Sequence, residues 1–222
     1  MILTLGLTAG ALQVLGYLLY IRNKNIEPHP VSWLMFAYGT AIITVLEFDR
    51  SATIAELALP IACSVMSLYV AFRCWKKAIL INPKRWWPND WWPEDRIDKL
   101  SLVTDLTVTF VYVMVWVLVL VGAFSTDTRA GVALFFLIIE GPATIIPFLP
   151  IIRETIKHPQ KERSLPWLVW TIAYGTLVYA TYLNNGLVSE LLIYPAVCVL
   201  LHFLMAIISS GFYRKLHAGR VQ

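Results

Sequence analysis

Seven stretches of this chain are apolar for close to the length that crosses a membrane, and no other feature constrains the fold as strongly. They run 2–21, 31–48, 52–74, 100–124, 130–152, 167–183 and 187–212. Crossing roughly 30 Å of hydrocarbon takes about 20 mostly apolar residues in a helix. Backbone in lipid must satisfy its own hydrogen bonds, which leaves only helices or a closed barrel. Runs this long and continuous select helices. Composition agrees: 58% of the 222 residues are hydrophobic, 14% are charged and the mean hydropathy is +0.66, values foreign to a soluble domain. The first run has no basic segment ahead of it and no small-residue cleavage site followed by polar chain, so it reads as a retained span. Cys63, Cys74 and Cys198 are odd in number and lie in or beside apolar runs, as small buried hydrophobes do.

Charge then orients the spans. Sixteen of the 18 lysines and arginines fall in the loops after the first, third, fifth and seventh runs; only Arg50 and Arg129 fall on the other side. Basic loops stay in the cytoplasm, so the N-terminus is expected outside and the C-terminus inside. A formal charge of +4 therefore reports topology, and nucleic acid is not an expected partner. Between the third and fourth runs, Trp86-Trp87-Pro88 and Trp91-Trp92-Pro93 stand among charged residues, the pattern of a segment lying in the headgroup layer.

One tetrapeptide occurs twice. Ala37-Tyr38-Gly39-Thr40 and Ala173-Tyr174-Gly175-Thr176 are 136 positions apart, and Pro30 and Pro166 share that offset. Internal repetition fixes architecture. The expected fold is an all-α integral membrane protein of seven helices, with two parallel three-helix repeats joined by a linker helix (3+1+3). Its parts are a first repeat over 1–75, an interfacial segment over 76–99, the linker over 100–124, a second repeat over 130–213 and a basic tail over 214–222.

The segments Gly16-Tyr17-Leu18-Leu19-Tyr20-Ile21-Arg22 and Pro28-His29-Pro30-Val31-Ser32-Trp33 carry a family likeness. So do Pro147-Phe148-Leu149-Pro150-Ile151-Ile152-Arg153 and Pro166-Trp167. In these the chain resembles the PQ-loop superfamily, which contains the SWEET sugar transporters, the half-size SemiSWEETs and the nicotinamide riboside transporters. The resemblance implies a transporter of the bacterial inner membrane that moves a small polar solute by alternating access, with Pro30, Pro147, Pro150 and Pro166 as hinges. Two departures matter. Gly16 stands where the second half has Pro147, and the third span of each half lacks the sugar-facing Asn of SWEETs, so the solute stays open.

Polar side chains at mid-depth are costly and mark candidate sites. Those expected to bind substrate are Gln13, Tyr38, Thr40, Ser64, Glu140, Tyr174, Thr176 and His202, with Tyr38 and Tyr174 sandwiching the solute and Gly39 and Gly175 admitting a close neighbour. Glu140, followed by Gly141-Pro142, sits where the helix can break. It reads as a proton-coupling or substrate-binding acid, the alternative being a neutral side chain bonded to His202 or Tyr174. Asp105 is expected near the cytoplasmic end of the fourth span. Glu47, Asp49, Glu56 and Glu190 are expected to be solvated at the outer mouth.

No enzyme is expected, because HExxH spacing and a Ser-His-Asp cluster are both missing from the sequence. No metal and no cofactor are expected. The expected partners are a small-molecule solute and the lipid bilayer, with homo-oligomerisation left open. The alternative is a non-transporting seven-helix receptor or a structural or trafficking protein. The common retinal receptor is excluded, because the last run has no Lys before Lys215.

Overall fold

The computed structural model describes residues 1–22, 30–81 and 96–213, and among these every regular element is a helix. In chain order they are α1 (Ile2–Arg22), α2 (Pro30–Asp49), α3 (Ile54–Ile81), α4 (Arg96–Leu120), α5 (Thr126–Ala143), α6 (Ile145–Lys157), α7 (Ser164–Asn185) and α8 (Ile193–Ile208). Short 3-10 turns, Pro159–Lys161 and Glu190–Leu192, precede α7 and α8. The Trp-rich segment 86–93 and the tail 214–222 lie outside the described residues.

Five helical stretches are long and apolar enough to cross a membrane: Ile2–Arg22, Ile54–Lys77, Leu102–Leu120, Thr126–Lys157 and Glu190–Ile208. The chain is therefore an integral membrane protein by the criterion of length and apolarity. The outward faces agree, since Leu3, Leu18, Val65, Phe110 and Leu200 each expose more than half of their surface. α2 and α7, of 20 and 22 residues, are not among the five.

Where one continuous span is expected over 130–152, two helices stand. Pro142 has no N–H, and its ring crowds the carbonyl four residues back. The α-helical ladder ends at Ala143, and the Thr144 N–H turns to the carbonyls of Glu140 and Pro142. Pro147 and Pro150 remove two further donors from α6.

Packing follows a ring. α1 lies against α3 and α7, α2 against α3 and the α5–α6 rod, and α8 against α7 and that same rod. α4 packs outside the ring on α5, α2 and α6, with only 22% of its apolar window buried. The α1–α3 contact is close because Gly6 lacks a side chain: a methyl group there would sit 2.1 Å from the Ala55 carbonyl oxygen.

The turn joining α2 to α3 and the turn before α8 meet at one end of the ring. Arg50 pairs with Glu190 at 2.6 Å, and Asn184 and Asn185 donate to Glu56. Glu56 also accepts from the Thr53 N–H (2.7 Å) and hydroxyl (2.8 Å), closing a capping box on α3. Asp49 accepts from Tyr112 and Trp116 and pairs with Arg129 at 3.3 Å. Glu47 and Glu56 are 4% and 3% exposed and the Asp49 side chain 1%, so the expectation of solvated acids is wrong for these three. Partners brought in from distant turns bury Asp49 and Glu56. Glu190 keeps the partial exposure expected of it.

Candidate functional site

At the centre of the ring a narrow chamber, with a free volume of about 20 Å³, is lined from all of its helices. Its walls are mainly aromatic: Tyr17 from α1, Trp33 and Phe36 from α2, Phe148 from α6, Trp167, Trp170 and Tyr174 from α7, and Tyr194 and His202 from α8. Thr40, Cys63, Thr144 and Cys198 complete it. Both lining thiols are free.

Local helix geometry explains the lining. On α2 the chamber face is Trp33, Phe36 and Thr40, and on α7 it is Trp167, Trp170 and Tyr174, in each case positions i, i+3 and i+7, which share one face of a helix. Gly16 leaves room for this wall, because a methyl group on it would sit 2.3 Å from Trp170 Nε1. That indole donates to the Gln13 carbonyl at 3.0 Å.

The rings lock one another. Tyr17 meets Trp170 edge to face at 4.9 Å, Phe36 meets Phe148 at 4.7 Å, and Trp167 meets Trp170 at 4.9 Å. His202 stacks on Tyr174 with centroids 4.9 Å apart. Its Nδ1 lies 2.7 Å from the Cys198 carbonyl oxygen, which can only accept. Nδ1 therefore carries the proton and Nε2 is left as an acceptor. The Tyr174 and Tyr194 hydroxyls bond each other at 2.7 Å, and Tyr17 bonds Ser67 and the Cys63 carbonyl. Thr40 bonds the Phe36 carbonyl at 2.5 Å. The chamber thus offers ring faces, one imidazole acceptor and hydroxyls, and no charged residue is among those that line it.

A second cavity, also of about 20 Å³, abuts the first and shares Phe36, Thr40 and Thr144 with it. Asp105 and Glu140 face each other across it within hydrogen-bonding reach. Both are buried, at 5% and 3% exposure, and Glu140 Oε1 has no hydrogen-bond partner. Asp105 stands well inside α4, because the helix begins at Arg96 where a span from residue 100 is expected. The apolar stretch itself begins only at Leu102, so Asp105 sits near its end and faces inward, as expected of it.

The expected site residues divide. Thr40, Tyr174 and His202 come together in the chamber, and Glu140 lies in the adjoining cavity beside Asp105, with neither His202 nor Tyr174 among the residues that line it. Gln13 is buried under Trp170, with no partner for its Oε1. Tyr38 turns away and donates to Thr109 on α4 at 2.7 Å. Ser64 ties α3 to the Ala37 carbonyl at 2.7 Å, and Thr176 bonds the Ile172 carbonyl of its own helix at 2.8 Å. The Tyr38–Tyr174 sandwich is not formed. No neighbour needs the space at Gly175, and at Gly39 the nearest atom is Asp105 Oδ2, 3.9 Å from an added methyl group. Of the expected hinges, Pro147 lines the second cavity, Pro150 lies inside α6, Pro166 is buried in the first turn of α7, and Pro30 begins α2.

The residues that sequence reasoning misses are the ring-bearing ones: Tyr17, Phe36, Phe148, Trp170 and Tyr194. For Phe36 and Trp170 the signal is their i, i+3, i+7 spacing with Trp33 and Thr40 and with Trp167 and Tyr174, which polarity alone passes over. Compared with protein-family models, with curated proteins and with solved structures, the chain matches none.

Proposed function

We propose that this protein is a membrane carrier that moves a small, flat, weakly polar solute by alternating access through the aromatic chamber. In this reading α1–α3 and α5–α8 are two parallel units, with the α5–α6 rod as one broken span and α4 as the linker. Exchanging the units leaves the order of neighbours round the ring unchanged. The observation that carries the proposal is the pairing of the chamber's residues between units. Trp33 with Trp167, Phe36 with Trp170 and Thr40 with Tyr174 are each 134 positions apart, and Cys63 with Cys198 is 135 apart. A solute at such a place is gripped equally from two bodies that can rock against each other.

The same reading assigns the ends. The Arg50–Glu190 pair and the Glu56–Asn185 bond join the two units at the end expected to lie outside. Tyr20 of α1 donates to Glu162, just before α7, at the other end. Alternating access opens one set of ties while the other holds. The resemblance to the PQ-loop superfamily belongs with this proposal, since Pro30, Pro147, Pro150 and Pro166 lie at or near helix starts and breaks.

An aromatic lining without charge favours ring-bearing solutes, which stack, over hexoses, which need several hydrogen bonds at once. Counterflow into proteoliposomes of labelled aromatic amino acids, aliphatic amino acids, nucleosides and hexoses tests this. Aromatic solutes and nucleosides are expected to exchange and to lose exchange in Trp170→Ala. A panel with no flux at all would remove the carrier reading.

A further inference from the structure

The acid pair lies outside the chamber and half of it belongs to α4, the helix that takes no part in the ring. From α2 the cavity is faced by Met35, Phe36, Gly39, Thr40 and Ile43, and from the α5–α6 rod by Ala143, Thr144 and Pro147 beside Glu140. None of these is titratable, and α4 contributes Asp105 alone. Among the described residues lining the cavity, Asp105 and Glu140 thus have no cation to balance them. The one histidine nearby, His202 of α8, faces the other chamber.

Two ionised carboxylates are acceptors only, so the contact between them closes only when one carries a proton. Both hydroxyls in the cavity are already committed, Thr40 to the Phe36 carbonyl and Thr144 to the Glu140 carbonyl at 3.1 Å. Glu140 Oε1, buried and without a partner, remains open to a proton or to a hydroxyl that turns towards it. The cavity adjoins the aromatic chamber along Phe36, Thr40 and Thr144, so the acids and a bound solute are separated by one layer of side chains. Glu140 also stands one turn before the break at Thr144, where the α5–α6 rod bends.

We propose that Asp105 and Glu140 together hold one transported proton, and that its loss or gain couples the position of α4 against the α5–α6 rod to the access of the chamber. Losing the proton leaves two carboxylates facing each other out of water, and their repulsion drives α4 and α5 apart. Regaining it closes the contact. The coupling rests on the carrier reading; the proton site itself does not.

Two measurements separate them. Infrared difference spectroscopy of the purified protein between mildly acidic and alkaline buffer is expected to show a protonated-carboxyl C=O band that is lost in both Asp105→Asn and Glu140→Gln. In proteoliposomes with tryptophan as the probe, an inward proton gradient is expected to speed uptake, and both variants are expected to lose that stimulation while keeping exchange without a gradient. The variants are near-isosteric, and the wild-type band needs neither of them to fold. No band in the wild type beyond the one that Glu162→Gln removes, or no loss of band intensity in either substitution, overturns the proton site. Unaltered gradient stimulation in both variants, or stimulation by a sodium gradient in place of protons, overturns the coupling. A band lost in both variants with no exchange of any solute keeps the proton site and removes its link to transport.

Discussion

Replacing Glu162 by Gln is expected to leave stability nearly unchanged in acid and to raise it above neutral pH. Glu162 lies in the loop between the Pro159–Lys161 turn and α7 and is 7% exposed. It accepts from Trp167 Nε1 at 3.1 Å and from the Tyr20 hydroxyl at 3.3 Å. Burial pushes its carboxyl up from 4.5 to about 7, against the opposing pull of those donors and of the backbone at Arg163. An acid whose pKa is raised in the folded state binds its proton more tightly there than in the unfolded chain. The resulting stability is fully present below 4.5 and is lost as pH rises through about 7. A difference of about 2.5 between those values corresponds to about 3 kcal/mol. The amide in the Glu162→Gln variant is neutral throughout, and it can accept from Trp167 while donating to the Tyr20 oxygen. The variant should therefore match the wild type in acid, where Glu162 is protonated, and exceed it above about pH 7. At about 2–4 °C per kcal/mol for a chain of this size, the difference in Tm between the two proteins should swing by about 6–12 °C over the window. Intrinsic tryptophan fluorescence in detergent, followed through thermal unfolding at a series of pH values, reads this directly. A Tm difference that is constant with pH would refute the reasoning, because it would mean that Glu162 is ionised in the fold at no cost.

Three further outcomes follow from the geometry. Gly16→Ala forces a methyl group to 2.3 Å from Trp170 Nε1 and displaces the indole from the Gln13 carbonyl, so a loss of about 1–3 kcal/mol with weakened solute exchange is expected in thermal unfolding and counterflow. Gly175→Ala meets nothing within 4 Å and should raise stability by about 0.5–1 kcal/mol without changing exchange, so a loss of either would contradict the placement of this glycine. Arg50→Ala breaks an ion pair whose side chains are 29% and 24% exposed, which is worth less than about 1 kcal/mol. Its Tm should barely move, while Cys198 becomes more reactive towards a membrane-impermeant thiol reagent added outside.

Much of the architecture is legible in residue order because lipid simplifies the problem. Apolar length alone marks helices, and Gly141-Pro142 announces the break that ends α5. The capping box of α3, Thr53-Ile54-Ala55-Glu56, is also readable, yet the same Glu56 reads as solvated from its neighbours in sequence. What buries it comes from Asn184 and Asn185, 128 and 129 positions away, and no local pattern predicts that meeting. Asp105 illustrates the same limit in another form. Hydropathy starts its helix at residue 100 because Arg96 and Lys99 are charged, so the helix boundary is misjudged by about one turn, while Asp105 keeps its expected place near the end of the apolar stretch.

The duplicated tetrad is the most instructive case, since the identity is real and its use as a register is not. At an offset of 136, Tyr38 falls on Tyr174, but Tyr38 is bonded to α4 and Tyr174 is in the chamber. Two residues turn a helix by about 200°, so an offset wrong by two places nearly opposite faces in register. At an offset of 134 the buried positions of the helices coincide: Ser32 with Pro166, Trp33 with Trp167, Thr40 with Tyr174, Ile43 with Leu177 and Leu46 with Ala180. Only one of these pairs is identical, Trp33 with Trp167. Helices that occupy like places in a ring are held to like faces, because each must bury the same stripe against a neighbour and a central space. The residues on the stripe are free to differ provided that they fill it, as Phe36 and Trp170 do. Matching letters off the stripe, such as Gly39 against Gly175, meet no such constraint. Burial periodicity, and not sequence identity, is therefore the register in which a chain like this is to be compared with itself.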